Sequence, residues 1–158
     1  MSRLGWLALA IAAMVIAVDQ ASKIWVLETL NLPQVGTIPV AGPFQLSMVW
    51  NQGVSFGLLQ AEHAMVRWGL VVFSLVVAVV LAFWARRADR AFSAVGLGLI
   101  IGGAVGNAVD RARFGAVVDF LDFQRIGFFP WVFNVADSAI TVGVILLLID
   151  SLRRERPA

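Results

Sequence analysis

Residues 117–138 read VVDFLDFQRIGFFPWVFNVADS, and two carboxylates in this stretch, Asp119 and Asp137, stand in very apolar company. Val117, Val118, Phe120 and Leu121 flank the first; Val132, Phe133, Val135 and Ala136 precede the second, and a long apolar run follows it. A carboxylate is costly to bury unless it is paired or neutralised. Within a membrane it marks function by default. The rest of the chain reads as scaffolding that holds these two groups together at a membrane surface.

The composition agrees. The chain has 158 residues, suited to one domain, but 60% are hydrophobic and only 14% charged. Soluble domains carry about 25% charged residues. The mean hydropathy of +0.87 belongs to a polytopic membrane protein. The sequence pI of about 10.4 overstates the basicity, because the formal net charge is +2. The arginines also sit where membrane topology needs them, so nucleic acid is not an expected partner. With no cysteine, disulfides, thiolate catalysis and cysteine-held metals are excluded. The first apolar run lacks a small-residue cleavage site leading into a polar domain and is read as a retained helix rather than a signal peptide.

Outward from the opening stretch, four spans are expected, at about 4–27, 68–85, 91–110 and 137–152, since roughly 20 apolar residues cross a hydrocarbon core. The fourth is short, so Asp137 is expected somewhat below the outer surface. The third is rich in glycine (Gly96, Gly98, Gly102, Gly103, Gly106), which suits close helix packing in lipid. Between the spans, 31–62 holds Pro33, Pro39 and Pro43 and alternating pieces such as Phe44–Met48, which predict turns and short strands. Arg3, the Arg86-Arg87-Arg90 loop and the Arg153-Arg154-Arg156 tail fall on one side, and the positive-inside rule makes that side cytoplasmic. Both termini are then inside. The regions 31–62 and 111–136 are outside, and every polar cluster falls at that outer face: Asp19 with Lys23, the Asn51 loop, Asn107-Asp110-Arg111, Asp119, and Asn134 with Asp137.

Elimination narrows the chemistry. The one histidine, His63, sits in a polar loop, which leaves no serine–histidine triad and little basis for zinc. The one lysine, Lys23, neighbours Ser22, and adjacent residues on a helix do not face each other. Gly102-Gly103-Ala104-Val105-Gly106-Asn107 lacks the lysine of a phosphate-binding loop. Carboxylates remain. Two of them held close cannot both ionise easily, so one keeps a proton and the site offers an acid beside a base. The base can activate water while the acid bonds the developing oxyanion.

Plainer readings stand beside these. Asp137 with Ser138 can be a helix N-cap. Asp19 and Lys23, four apart, can be an ion pair or a polar platform for substrate. The Asn51 loop can be a simple turn. In a strand, Asp119 and Asp122 point to opposite faces, and Asp122 is taken as the solvated one.

Taken in order, the motifs Asp19-Gln20-Ala21-Ser22-Lys23, Asn51-Gln52-Gly53-Val54-Ser55-Phe56-Gly57, Gly102 to Arg111, Val117-Val118-Asp119-Phe120 and Phe133-Asn134-Val135-Ala136-Asp137-Ser138 resemble the lipoprotein signal peptidase (bacterial signal peptidase II) family over nearly the whole chain. Ala108 departs from a bulkier apolar residue common there, but no polar position departs.

The resemblance implies an intramembrane aspartyl endopeptidase of the bacterial inner membrane, active near the periplasmic face. It would remove the signal peptide from prolipoproteins just before a diacylglyceryl-modified cysteine. Asp119 and Asp137 would be its catalytic pair. Asn51, Asn107, Arg111, Asn134 and Ala136 would shape the site or hold substrate, and Asp19, Lys23 and Asp110 would support it. The implied fold is four transmembrane helices with a small periplasmic β-cradle and a short periplasmic helix, forming one domain over 1–158. The partners would be lipidated prolipoproteins and membrane lipids, with the cyclic peptide globomycin as inhibitor. No cofactor or metal is implied, and the enzyme is expected to act as a monomer. Trp50 and Phe56 are expected to clamp the lipidated segment.

Other classes remain open on sequence grounds: a small proton-coupled transporter, for which the ionisable residues form no chain across the bilayer; an assembly subunit packed through the glycine-rich span; and a prepilin-type peptidase, whose glycine-flanked aspartate motif is missing.

Overall fold

Four helices carry the apolar runs and are long and apolar enough to cross a membrane: α1 (Arg3–Ile24), prolonged by a π-helical turn over Trp25–Thr29, α3 (Ala64–Ala85), α4 (Ala91–Phe114) and α5 (Val135–Arg154). A four-residue helix, α2 (Leu32–Val35), follows the first of them. These elements come from a computed structural model, which describes residues 1–54, 59–60, 64–127 and 131–154. His63, Ser55–Gly57, Glu155 and Arg156 lie outside the described residues.

The helices are apolar on their outer faces. On α3, Phe73, Val76, Val80 and Phe83 are each more than half exposed, an arrangement that only a lipid solvent favours. α4 is the central helix and packs against α1, α3 and α5. Its seams are built from small residues: Ala8, Ala12, Ala78, Ala85, Ala94 and Ala104 form much of the buried bundle core. At Gly98 an added Cβ would lie 2.5 Å from Ala8 O, and at Gly96 it would lie 2.9 Å from Gly143 O. These glycines therefore set the close approach of α4 to α1 and α5, in keeping with the packing expected for them.

All helices reach a common end that carries the sheet. Strands β1 (Thr37–Ala41), β2 (Phe44–Asn51), β5 (Val117–Asp122) and β6 (Val132–Phe133) form an antiparallel sheet in the order β1-β2-β5-β6; β3 (Gly53–Val54) and β4 (Leu59–Gln60) form a two-stranded ribbon. Val26, Leu32, Leu46, Val118 and Phe120 make a second core that binds the sheet to the end of α1 and to α2.

The helix limits differ from expectation where polar residues were taken as ends. α4 does not stop near residue 110 but runs to Phe114 and ends at Gly115, whose φ of +81° closes the helix in the left-handed region. α3 begins at Ala64 rather than at 68. α5 has 20 residues, against about 16 expected for the fourth span, and is ~30 Å long by helix rise. In each case the polar side chains find partners inside the protein, and the backbone stays helical through them.

Candidate active site

Asp119 is brought into place by register. Across the β2–β5 ladder, Val49 pairs with Asp119 and Asn51 with Val117, so Asn51 and Asp119 are diagonal neighbours on one face. Asn51 Nδ2 donates to Asp119 Oδ2 at 3.0 Å, while Asn51 Oδ1 accepts from the Gly53 amide at 3.2 Å. The residue is thus both a turn-former and a site residue.

Asp137 comes from the first turn of α5. Asn134 precedes the helix. Its Oδ1 accepts from the Asp137 amide at 2.9 Å, and its own amide donates to Asp137 Oδ2 at 3.3 Å. This reciprocal capping box makes Asn134 the cap, correcting the reading of Asp137 in that role. The side-chain amide of Asn134 also donates to Asp119 Oδ1 at 2.6 Å and to Asn107 Oδ1 at 3.2 Å. One asparagine therefore bridges the two carboxylates. Asn107 completes the circuit, donating from Nδ2 to Asp137 Oδ1 at 2.7 Å.

The two carboxylates are unequal. Asp119 is 1% exposed, whereas Asp137 is half-buried and lines an open pocket of about 330 Å³ with Phe133, Ser138, Thr141 and Val142. Burial, then the neighbouring charge of Asp137, raises the Asp119 pKa to about 7; hydrogen bonds from Asn51 and Asn134 and the charge of Lys23 oppose the rise.

Below this pair lies a second polar cluster. Lys23 Nζ is 2.8 Å from Asp19 Oδ2, 2.7 Å from Asp110 Oδ2 and 3.3 Å from Asn107 Oδ1. Gln20 Nε2 reaches Asp19 and Asp110 at 3.1 and 2.9 Å. Asp19 Oδ1 accepts from the Ala136 amide at 2.9 Å, and Asp110 Oδ2 accepts from the Val118 amide at 3.1 Å. Asp19, Lys23 and Asp110 are all buried, so the ion pair is realised and no platform is open to a substrate. The cluster ties α1 to the starts of α5 and β5. Ala136 contributes its backbone here and allows α5 to approach Gly103 closely.

Arg111, in the last turn of α4, lies within electrostatic reach of Asp137, Asp119 and Asp110, and its buried Nε has no hydrogen-bond partner among the described residues. Arg67 was not anticipated from the sequence. Its guanidinium donates from Nε to Arg111 O at 2.7 Å and from Nη2 to Ala112 O at 2.6 Å, closing the carbonyl end of α4. A lone basic residue at the start of an apolar run was the available signal.

Asp122 does point away from Asp119, but it is not solvated. It is 2% exposed and accepts from Ser47 Oγ at 2.6 Å, Gln45 Nε2 at 2.7 Å and the Gln124 amide at 2.8 Å. Burial pushes its pKa up, but these hydrogen bonds and Arg125 outweigh that and hold it below the usual carboxylate range. The register places Gln45 opposite Asp122, which the strand pattern of β5 alone does not reveal. Trp50 is exposed and meets Phe114 edge-on at 5.7 Å; Phe56 lies outside the described residues.

Known proteins match this chain along its length. The family model described as signal peptidase (SPase) II matches residues 11–153. The lipoprotein signal peptidase of Caulobacter vibrioides is 51% identical over 155 residues, covering 98% of this chain and 91% of that protein. That of Methylorubrum extorquens is 47% identical over 138 residues, covering 87% and 81%. A bacterial membrane enzyme structure obtained by the in meso method at 2.3 Å superposes with a TM-score of 0.79 at 27% identity, covering 96% of this chain and 93% of the other.

Proposed function

The chain belongs to the signal peptidase II family, a family of membrane peptidases, and from that premise we propose that it removes signal peptides from prolipoproteins by aspartyl chemistry. The bond cut is the one before the diacylglyceryl-modified cysteine. The observation that carries the reading is the bridging of Asp119 and Asp137 by Asn134 at the sheet end of the bundle.

Asp119, enclosed and with its pKa raised to about 7, is the acid of the pair. Asp137, beside the open pocket, is the ionised partner and takes a proton from water as that water attacks the scissile carbonyl. The Asp119 proton bonds the carbonyl oxygen as negative charge develops there, in surroundings where such a bond is strong. Collapse of the tetrahedral intermediate passes a proton from Asp137 to the leaving amine and restores the pair. The Nε–H of Arg111, unpartnered among the described residues, is a donor for a substrate backbone carbonyl. The lipid chains of the substrate stay in the bilayer, and Trp50, with Phe56, clamps the lipidated segment.

The sheet end faces the periplasm, and both termini face the cytoplasm, because Arg3, Arg86, Arg87, Arg90 and Arg153 gather at the opposite end. The enzyme works as a monomer in the inner membrane, requires no cofactor, and is a target for globomycin. The test is a gel-shift assay on a diacylglyceryl prolipoprotein in lipid. The wild type is expected to cut it, while folded Asp119→Asn and Asp137→Asn proteins do not. A variant that turns over at a rate near the wild type's overturns the assignment of the pair.

A further inference from the structure

Lys23 is 2% exposed; its ammonium donates to Asp19 Oδ2 at 2.8 Å and to Asn107 Oδ1 at 3.3 Å, and forms an ion pair with Asp110 Oδ2 at 2.7 Å. The contacts with Asp19 and Asp110 are a buried ion-pair network between α1 and α4. The contact with Asn107 is of a different kind, because Asn107 is the residue whose Nδ2 holds Asp137. A carboxamide can sit either way round. Here its oxygen faces two donors, Lys23 Nζ and Asn134 Nδ2, so its NH2 group must face the Asp137 carboxylate. Reversal would set NH2 against an ammonium and an oxygen against a carboxylate.

We propose that Lys23 is a positioning residue for hydrolysis: through Asn107 it fixes the amide that orients Asp137, and it lends its positive charge to the acidic pair. This rests on Asp119 and Asp137 being the reacting groups. The pair faces Asp19 and Lys23 from α1 and Arg111 from α4, which Asp110 also faces, and its members face each other from β5 and α5. In that setting the charge of Lys23 favours ionisation of Asp119, against burial and Asp137. Without it, the pH window in which the pair carries a single proton moves upward.

The experiment is the pH profile of kcat/KM for cleavage of a diacylglyceryl prolipoprotein in lipid, normalised to folded enzyme. Wild type, Lys23→Met and Gln20→Leu are compared. Gln20→Leu disturbs the same cluster, removing contacts to Asp19, Asp110 and Gly106 O, but changes no charge. Lys23→Met is expected to move the limbs of the profile up by about one pH unit. Gln20→Leu is expected to lower stability and leave the limbs in place. If Lys23→Met does not fold, Lys23→Gln, which removes the charge and keeps an amide donor in the cluster, reports the same shift. Limbs that coincide with the wild type's, or an equal shift in Gln20→Leu, overturn the role of Lys23 while the peptidase reading stands. A folded wild type that leaves the lipidated substrate uncut is instead a failure of the underlying function.

Discussion

Two pairs of carboxylates lie side by side at the sheet end of the bundle and are treated in opposite ways. Asp19 and Asp110 share a lysine between them and accept backbone amides from Ala136 and Val118. Asp119 and Asp137 receive no cation in direct contact among the described residues; their partners are the neutral amides of Asn51, Asn107 and Asn134. A lysine neutralises and holds, which serves to join helices. Amides orient a carboxylate without cancelling its charge, so one proton stays with the pair. The contrast separates structure from chemistry among residues of the same type.

The largest effect is expected where the contrast is sharpest. Asp119→Asn and Asp137→Asn each lower kcat/KM by about 10³-fold or more in folded protein, as loss of a general acid or base does. Asp110→Asn acts first on stability, by about 3 kcal/mol, as breaking a buried pair does. Thermal unfolding beside the cleavage assay reads both. If folded Asp110→Asn were as inactive as Asp119→Asn, the division between the clusters would fail.

Next comes Asn134→Ala, which removes the bridge and the cap together. Activity falls about 10²-fold through misplacement of the reacting groups, and stability falls by about 1 kcal/mol. A kinetic loss no larger than the folding loss would show that the bridge is only a cap. Gly106→Val tests the other cluster from its backbone side. An added Cβ there lies 2.7 Å from Asp19 Oδ2, so the lysine network is displaced at a cost of about 2 kcal/mol, read as a lowered unfolding temperature.

The pH response follows from Asp119. Its pKa is raised in the folded state to about 7 from 3.8, so its contribution to stability is fully present below pH 3.8 and lost as pH rises through about 7. The wild type is therefore expected to lose cleavage activity and unfolding temperature from pH 6 to 8, and Asp119→Asn to show a flatter unfolding profile. An equally steep profile would move the titration to another group. Asp122 has the opposite sign. Its pKa is held below 3.8, so its stabilisation is present above that value and lost as pH falls through the folded pKa. Asp122→Asn is the smallest effect, about 1 kcal/mol in stability, with cleavage unchanged.

Much of this division was legible in the chain. Hydropathy located the four helices long and apolar enough to cross a membrane. The spacing of Asp19 and Lys23 foretold their pairing. Contacts across the fold were not legible. Nothing local marks Asp110 as the third member of the lysine network, Gln45 and Ser47 as the partners that bury Asp122, or Arg67 as the cap of α4. Each depends on register between segments far apart in sequence. Helix limits were misjudged near Asp110 and Asp137 because a polar residue looks like an end until its internal partner is known.

The site draws on α1, β2, α4, β5 and the Asn134 cap with α5, and this scatter has a consequence for how the protein comes into being. During synthesis Asp119 emerges well before Asp137, and Asp19, made among the first residues, waits for the Ala136 amide near the end. On the proposed mechanism, a nascent chain ending near residue 130 carries a lone carboxylate and an unfinished anchor and is expected to be inert, with competence arriving only when the last helix is inserted. Co-expressing residues 1–130 and 131–158 as separate pieces would expose this: activity is expected from the pair, and none from either half.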